Sequence, residues 1–264
     1  MRRKIKVLLN LKLVLKHLLY IPKIIARIKN WVPFLLNYIG LKNQPQTYYL
    51  RNGIKLKTNE GVDSETISVI FIKTDYGKIK DNSQIIDIGA NIGVFSIYAV
   101  STSKYTTVYA YEPMPKCFQL LLENIKINKY EKKIIPFELG VTLKKEKRKL
   151  FLVGGSPFNT IYTDKQNNFI EINCIGLKDI FDTNKINRCD LLKIDCEGAE
   201  FEILYNTPIE YFSKIQEIRL EYHNQKQARY TINSLIKFLE RNHFKLIYYR
   251  KDGINFGSAW FKRI

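Results

Sequence analysis

From Gln84 onward, short apolar runs alternate with stretches whose apolar positions recur every three or four residues, the pattern of strands and helices taken in turn. Strands are predicted at Ile85–Ile88, Thr107–Tyr111, Ile134–Glu138, Leu191–Asp195, Ile215–Tyr222 and Lys245–Tyr249, with a last strand at Ile254–Phe261. Helices are predicted between them at Val94–Ser101, Cys117–Asn128, Ala199–Leu204 and Ile232–Asn242. Lys149–Val153 and Phe169–Ile172 read as an extra strand pair around Gly154-Gly155-Ser156-Pro157. Repeated β-α-β units with apolar strands imply an α/β fold with a doubly wound, mostly parallel, Rossmann-like sheet. Upstream, Tyr48–Leu50 and Ile54–Leu56 flank Asn52-Gly53, which predicts a hairpin with a type I′ turn. Asp63-Ser64-Glu65 is placed to cap a helix reaching about Lys73.

The N-terminal pattern differs. Val7, Leu11, Val14, Leu15 and Leu18 share one stripe at 100° per residue, with Lys6, Lys12, Lys16 and His17 off it and Leu9 and Leu13 spoiling the polar face. A second helical stretch, Ile24–Ile39, is interrupted by Pro33 and preceded by Pro22. Charge sharpens the contrast. The chain of 264 residues carries 43 Lys+Arg and 25 Asp+Glu, a net +18. Residues 1–59 hold 13 of those bases and no acid, leaving only +5 for the rest. The expected division is a basic helical N-terminal extension, 1–45, and a main domain, 46–264. Two uses of the extension stay open: it lies on an anionic membrane surface, or it packs on the main domain or a partner subunit. No apolar stretch approaches the roughly 18 residues of a spanning helix, and no small-residue cleavage site follows Met1-Arg2-Arg3-Lys4. Four cysteines without a CxxC pair make neither a disulfide scaffold nor a zinc site. The expected location is cytoplasmic, peripheral at the inner membrane face under the first use. The sequence sets no oligomeric state.

Ligands of such a sheet bind at the carboxyl ends of its strands. The first strand runs into Asp87-Ile88-Gly89-Ala90-Asn91-Ile92-Gly93. A dinucleotide loop needs G-x-G-x-x-G, and here Asn91 and Val94 stand where the second and third glycines belong. S-adenosylmethionine has no phosphate, carries a sulfonium and an ammonium, and suits an acid before the glycine. Gly89 allows close backbone approach, and Gly93 a tight helix start. Glu112, at the end of the next strand, can accept both ribose hydroxyls.

The stretches Ile85–Phe95 (IIDIGANIGVF), Tyr109–Pro113 (YAYEP), Leu192–Glu200 (LKIDCEGAE) and Ile218–His223 (IRLEYH) resemble the FkbM-type S-adenosylmethionine-dependent methyltransferases. The resemblance runs from about Tyr48 to Phe261. It implies a class I methyltransferase sheet with an antiparallel last strand, and a cofactor role for Asp87, Gly89, Asn91, Gly93 and Glu112. It also implies O-methylation of a hydroxyl on a sugar, glycan or natural product. Glu138-Leu139-Gly140-Val141 departs from the polar pattern expected for adenine contacts.

Methyl transfer to oxygen needs an aligned acceptor and a proton acceptor. The pleat puts Lys193, Asp195 and Glu197 on one side of the fourth strand, and Glu221 and His223 on one side of the fifth. Asp195, Glu197, Glu221 and His223 are the catalytic candidates, with His223 the natural base near neutral pH and Glu197 and Glu221 next. Lys193 is open to a structural pairing with Asp195 or Glu197, and Glu200 is expected to face solvent or cap a helix. Asp195, Glu221 and Asn224 could instead offer oxygens to Mg²⁺, but no resident metal is predicted. Two other functions compete. A nucleic-acid methyltransferase fits the net charge but not its confinement to the N-terminal segment. A non-catalytic membrane-associated module is disfavoured by the intact Asp87, Glu112 and Asp195.

Overall fold

The computed structural model describes residues 19–42, 44, 46–59, 63–152 and 168–264. The amphipathic stripe Val7–Leu18 and the Gly154–Pro157 loop lie outside the described residues.

Two short helices open the described chain, α1 (Ile21–Arg27) and α2 (Trp31–Tyr38). A hairpin follows, β1 (Thr47–Tyr49) and β2 (Lys55–Lys57), then α3 (Asp63–Ile67), which widens into π-helical turns over Ser68–Lys73. The alternating part comprises β3 (Gln84–Ile88), α4 (Val94–Thr102), β4 (Thr107–Tyr111), α5 (Pro115–Ile127) and β5 (Ile134–Phe137). After it come β6 (Gly140–Thr142), β7 (Glu146–Phe151), β8 (Phe169–Gly176) and α6 (Leu177–Thr183). The chain finishes with β9 (Leu191–Ile194), α7 (Glu200–Asn206), α8 (Ile209–Phe212), β10 (Glu217–His223), α9 (Ile232–Arg241), β11 (Phe244–Lys251) and β12 (Phe256–Arg263).

Seven strands form the central sheet in the order β11-β12-β10-β9-β3-β4-β5. β3, β4, β5, β9 and β10 are parallel, and β12 runs antiparallel to both β10 and β11. This is the predicted doubly wound sheet with an antiparallel last strand. A small side sheet, β6-β8-β7, contains the predicted strand pair as β7 and β8. β6 and α6 are additions to the sequence reading. Three residues are too few to show alternation, and α6 is a short amphipathic helix of about two turns carried by Leu177, Ile180 and Phe181.

The side-chain period of two divides the core. Ile85, Val108 and Leu191 face one apolar cluster, while Ile86, Ile88, Leu192 and Ile194 face the other. Asp87 and Lys193 therefore share the first face, and the parallel register sets them directly opposite each other.

One expectation is corrected here. The Asn52-Gly53 turn is not type I′, which needs positive φ at both residues. Only Gly53 has it (φ 94°), and Gly53 N donates to Leu50 O, so the turn is centred one residue earlier, on Arg51-Asn52, with Gly53 following it. The described part of residues 1–45 packs on the main domain, one of the two uses left open. Ile24, Ile28 and Phe34 are fully buried in the cluster that holds Ile85 and Val108. Phe34 packs edge-on against Tyr48 at 4.9 Å, and Asn37 Nδ2 donates to the Tyr48 hydroxyl at 2.6 Å. Pro22 and Pro33 do not break one long helix. Each sits in the first turn of its own helix, where the missing N–H has no intrahelical partner to lose.

Candidate active site

The carboxyl ends of β3, β4, β9 and β10 converge on one mouth. At its centre β3 turns sharply into α4. Gly89 has φ 74°, and a Cβ there would lie 1.8 Å from the carbonyl oxygen of Asp195. The residue must be glycine because the loop crosses against the end of β9. Asn91 takes φ 50°, a left-handed conformation that Asn tolerates better than most residues. Its N–H donates to Glu112 Oε2 at 2.7 Å. A Cβ on Gly93 would meet Leu121 Cδ1 at 2.5 Å, so this glycine serves the packing of α4 on α5. Asn124 in α5, fully buried, donates to Ile92 O and Lys57 O, both at 2.9 Å, and so ties the loop to the hairpin. Nothing in the sequence pattern marks Asn124, a polar residue in an amphipathic helix.

Glu112 presents the chemistry expected for a ribose diol. It is 7% exposed, and its two oxygens accept the N–H groups of Asn91 and Met114. Each oxygen keeps a second acceptor position. Burial raises its pKa to about 7 against the pull of those two N–H groups. A nucleoside whose vicinal hydroxyls donate to both oxygens fits this group.

Asp87 has a different role from the one expected. Its carboxylate has no exposed surface. Oδ1 lies 3.0 Å from Lys193 Nζ, and Oδ2 accepts from Ser96 Oγ at 2.6 Å. It anchors Lys193 rather than meeting the cationic end of a cofactor. Lys193 also donates to Gly89 O at 2.7 Å and lies 3.7 Å from Asp195 Oδ2. The structural pairing of Lys193 is thus chiefly with Asp87, next to Asp195, and it fixes the glycine loop.

Beyond Asp195 the chain turns through Glu197 (φ 52°) and Gly198 (φ 115°) into α7. Glu200 does not face solvent. It is fully buried, with Oε1 accepting from Gly198 N at 3.0 Å and Cys196 N at 3.3 Å. The same oxygen lies 3.2 Å from His223 Nδ1. His223 Nε2 is 3.4 Å from Glu197 and 3.7 Å from Glu221. Burial alone would lower the pKa of His223. The hydrogen bond and charge of Glu200, with Glu197 and Glu221, outweigh it and raise it to about 10. With a pKa of about 10, His223 holds its proton at neutral pH and has no lone pair for an acceptor's proton. The base expectation for His223 is corrected accordingly. Burial, reinforced in both cases by Asp195, raises Glu197 to about 7 and Glu221 to about 8, each lowered somewhat by His223. Asn224 Oδ1 accepts from Ile232 N at 2.7 Å at the start of α9.

Tyr76 completes the mouth and was not marked by the sequence. Arg219 donates to its carbonyl and to Lys78 O, and Arg250 pairs with Asp75 at 2.9 Å. Held in this way, the Tyr76 hydroxyl donates to Asp195 Oδ2 at 3.2 Å, and its ring packs on Phe95 at 5.1 Å. Burial, Asp195 and Glu221 hold the phenol well above its ordinary pKa, so it keeps its proton and can donate to Asp195.

Glu112, Glu197, Glu221 and His223 all bind protons more tightly in this site than at their ordinary values of 4.5 and 6.5. Their contribution to stability is complete below those values and is lost as pH rises through about 7 and 8 for the carboxyls and about 10 for His223. The urea midpoint is expected to fall between pH 6 and pH 9.5. A midpoint that rises over that window contradicts these assignments.

The family model described as the methyltransferase FkbM domain matches residues 87–246. Methyltransferase sdnD of Sordaria araneosa is 24% identical over 194 residues, covering 62% of this chain and 75% of that protein. The tRNA (guanine(37)-N(1))-methyltransferase Trm5b of Methanocaldococcus jannaschii is 27% identical over 189 residues, covering 67% of this chain and 53% of that protein. Among solved structures, methyltransferase FkbM from Methylobacillus flagellatus KT aligns with a TM-score of 0.51 at 14% identity. That alignment covers 74% of this chain and 47% of the other, and it shows a shared fold.

Proposed function

The chain belongs to the FkbM methyltransferase family, and from that premise we propose that it methylates a hydroxyl group on a sugar, glycan or natural product. It is a methyltransferase that uses S-adenosylmethionine, and Gly89, Asn91 and Glu112 are the residues proposed to hold the nucleoside. When bound, the cofactor supplies an electrophilic methyl group on a sulfonium. The observation that carries the acceptor assignment is the pair of carboxyls Glu197 and Glu221, gathered 3.4 and 3.7 Å from His223 Nε2 at the mouth, where burial and Asp195 raise their proton affinity. A neutral hydroxyl needs a proton acceptor as it attacks, and an aligned base contributes about 10²–10⁴-fold. Glu197, the less strongly protonated of the two at neutral pH, takes that proton in this reading, with Glu221 as its alternate at higher pH. Asp195 orients the hydroxyl: its Oδ2 is engaged by Tyr76 and Lys193, and Oδ1 is left to the acceptor. His223 fixes the position of Glu197 and Glu221.

Asp87, Asp195, Glu197, Glu200 and Glu221 surround only two cations, Lys193 and His223. An acidic mouth suits a cationic cofactor and an uncharged acceptor. It opposes a phosphodiester chain, which weighs against the nucleic-acid reading that the similarity to Trm5b keeps in view. The same proposal retains an anionic membrane surface as a partner of residues 1–45, with the enzyme cytoplasmic and peripheral at the inner face. No helix among the described residues is long and apolar enough to cross a membrane.

Incubating the protein with tritiated S-adenosylmethionine and fractionated cell extract tests the acceptor. Label is expected in material that resists nucleases and mild alkali, as a methyl ether does. Nuclease-sensitive label would establish the nucleic-acid reading, and alkali-labile label a carboxyl ester.

A further inference from the structure

Helix α2 has the sequence WVPFLLNY, with no charged residue. Its inward face is Phe34, Asn37 and Tyr38. A surface helix ordinarily turns polar side chains outward. Here the outward positions are Val32 and, at the helix end, Ile39, with half-buried Leu36 between them at i, i+4 and i+7, and Leu41 follows. Val32 is 48% exposed, Ile39 43% and Leu41 71%. Single exposed apolar residues need no explanation, but a run of them along one helix face marks an interaction surface. Lys29 and Lys42, both exposed, stand at the two ends of this stripe. Residues 1–59 contain no acid to offset them.

We infer that this face of α2 docks the catalytic domain onto an anionic lipid bilayer, with Val32, Leu36, Ile39 and Leu41 entering the headgroup boundary and Lys29 and Lys42 meeting lipid phosphates. The inference rests on the membrane reading of residues 1–45 and changes its form. The docking element is not a tether beside the enzyme. Phe34 and Tyr38 bind the opposite face of the same helix into the core, so the domain is held at the membrane in one orientation. Charge decides the occupant. A neutral apolar partner has no use for uncompensated cations around the stripe, whereas apolar insertion combined with Lys–lipid attraction is the mode by which interfacial helices bind.

The test is sedimentation of the full chain with phosphatidylcholine vesicles, with and without phosphatidylglycerol, at low salt. Wild type is expected to bind the anionic vesicles and to be released by salt. Replacing Val32, Ile39 and Leu41 together by Ser should weaken that partitioning roughly tenfold or more. Thermal midpoint and affinity for S-adenosylhomocysteine should stay at wild-type values, because none of the three side chains is in the core or the site. Lys29→Glu with Lys42→Glu should remove the preference for phosphatidylglycerol. If wild type ignores anionic vesicles, the membrane reading itself fails, and the docking face with it. If wild type binds and the triple Ser variant binds equally, membrane association stands but this face is not its seat. If the triple variant loses a dimer present in wild type, a second copy is the occupant and the lipid assignment is overturned.

Discussion

Gly89→Ala is expected to cost more than 4 kcal/mol of folding stability, on the order of the whole margin of an ordinary domain. Two effects add. At φ 74° a side chain is strained, which costs about 1–2 kcal/mol. The larger effect is steric: the new methyl would sit 1.8 Å from the carbonyl oxygen of Asp195. That atom is backbone at the end of a central strand, so relief requires moving β9 away from β3. Gly53→Ala separates the two effects. Gly53 has φ 94°, but no atom lies within 4 Å of its missing Cβ, so strain of about 1–2 kcal/mol is the whole expected cost. Urea unfolding of both variants measures the contrast. Equal losses would show that β3 and β9 do not approach as described.

Lys193→Met is expected to cost about 3–5 kcal/mol, because it leaves Asp87 as an uncompensated buried charge. Asp87 has no exposed surface, and its other contact, with Ser96, does not neutralise it. Lys193 also holds Gly89 O at 2.7 Å, so affinity for S-adenosylhomocysteine should fall with the stability. Adding Asp87→Asn removes the buried charge, and the double variant is expected to recover most of the lost stability. Recovery of stability without recovery of affinity would separate the two duties of the lysine. A double variant no more stable than Lys193→Met would show that the pair is not the reason for the loss.

The sheet was legible because its strands are short, apolar and spaced by amphipathic helices. β4 and the start of α4 fall where the periodicity puts them. The positions of Gly89 and Glu112 were also legible, since a glycine at a strand-to-helix turn and an acid at the next strand end are local signals. What escaped depends on contacts between distant segments. Asp87 and Glu112 look alike in sequence, each an acid near a strand end. Only the register that sets Asp87 against Lys193 makes one structural and leaves the other facing the mouth. Glu200 looked exposed because it opens a short helix, yet the turn through Glu197 and Gly198 folds its carboxyl inward. His223 looked like a base because its surroundings were unknown. Three carboxyl groups drawn from β10 and from the turn into α7 make it a cation. Tyr76 lies upstream of the segment that the family model matches, and Arg219 alone among nearby residues hints at what holds it. The basic N-terminal stretch read as an appendage because charge dominated the pattern. Ile24, Ile28 and Phe34 show that apolar spacing was the better guide.

The central claim is that the mouth of β3 and β4 is the cofactor site, with Glu112 accepting the ribose hydroxyls. Calorimetric titration with S-adenosylhomocysteine tests it most directly. Two charge-assisted hydrogen bonds, each worth about 1.5–3 kcal/mol, predict that Glu112→Ala weakens binding about 100-fold or more, and Glu112→Gln by roughly tenfold. Wild-type affinity in both variants, with the fold intact, would place the nucleoside elsewhere and contradict the account.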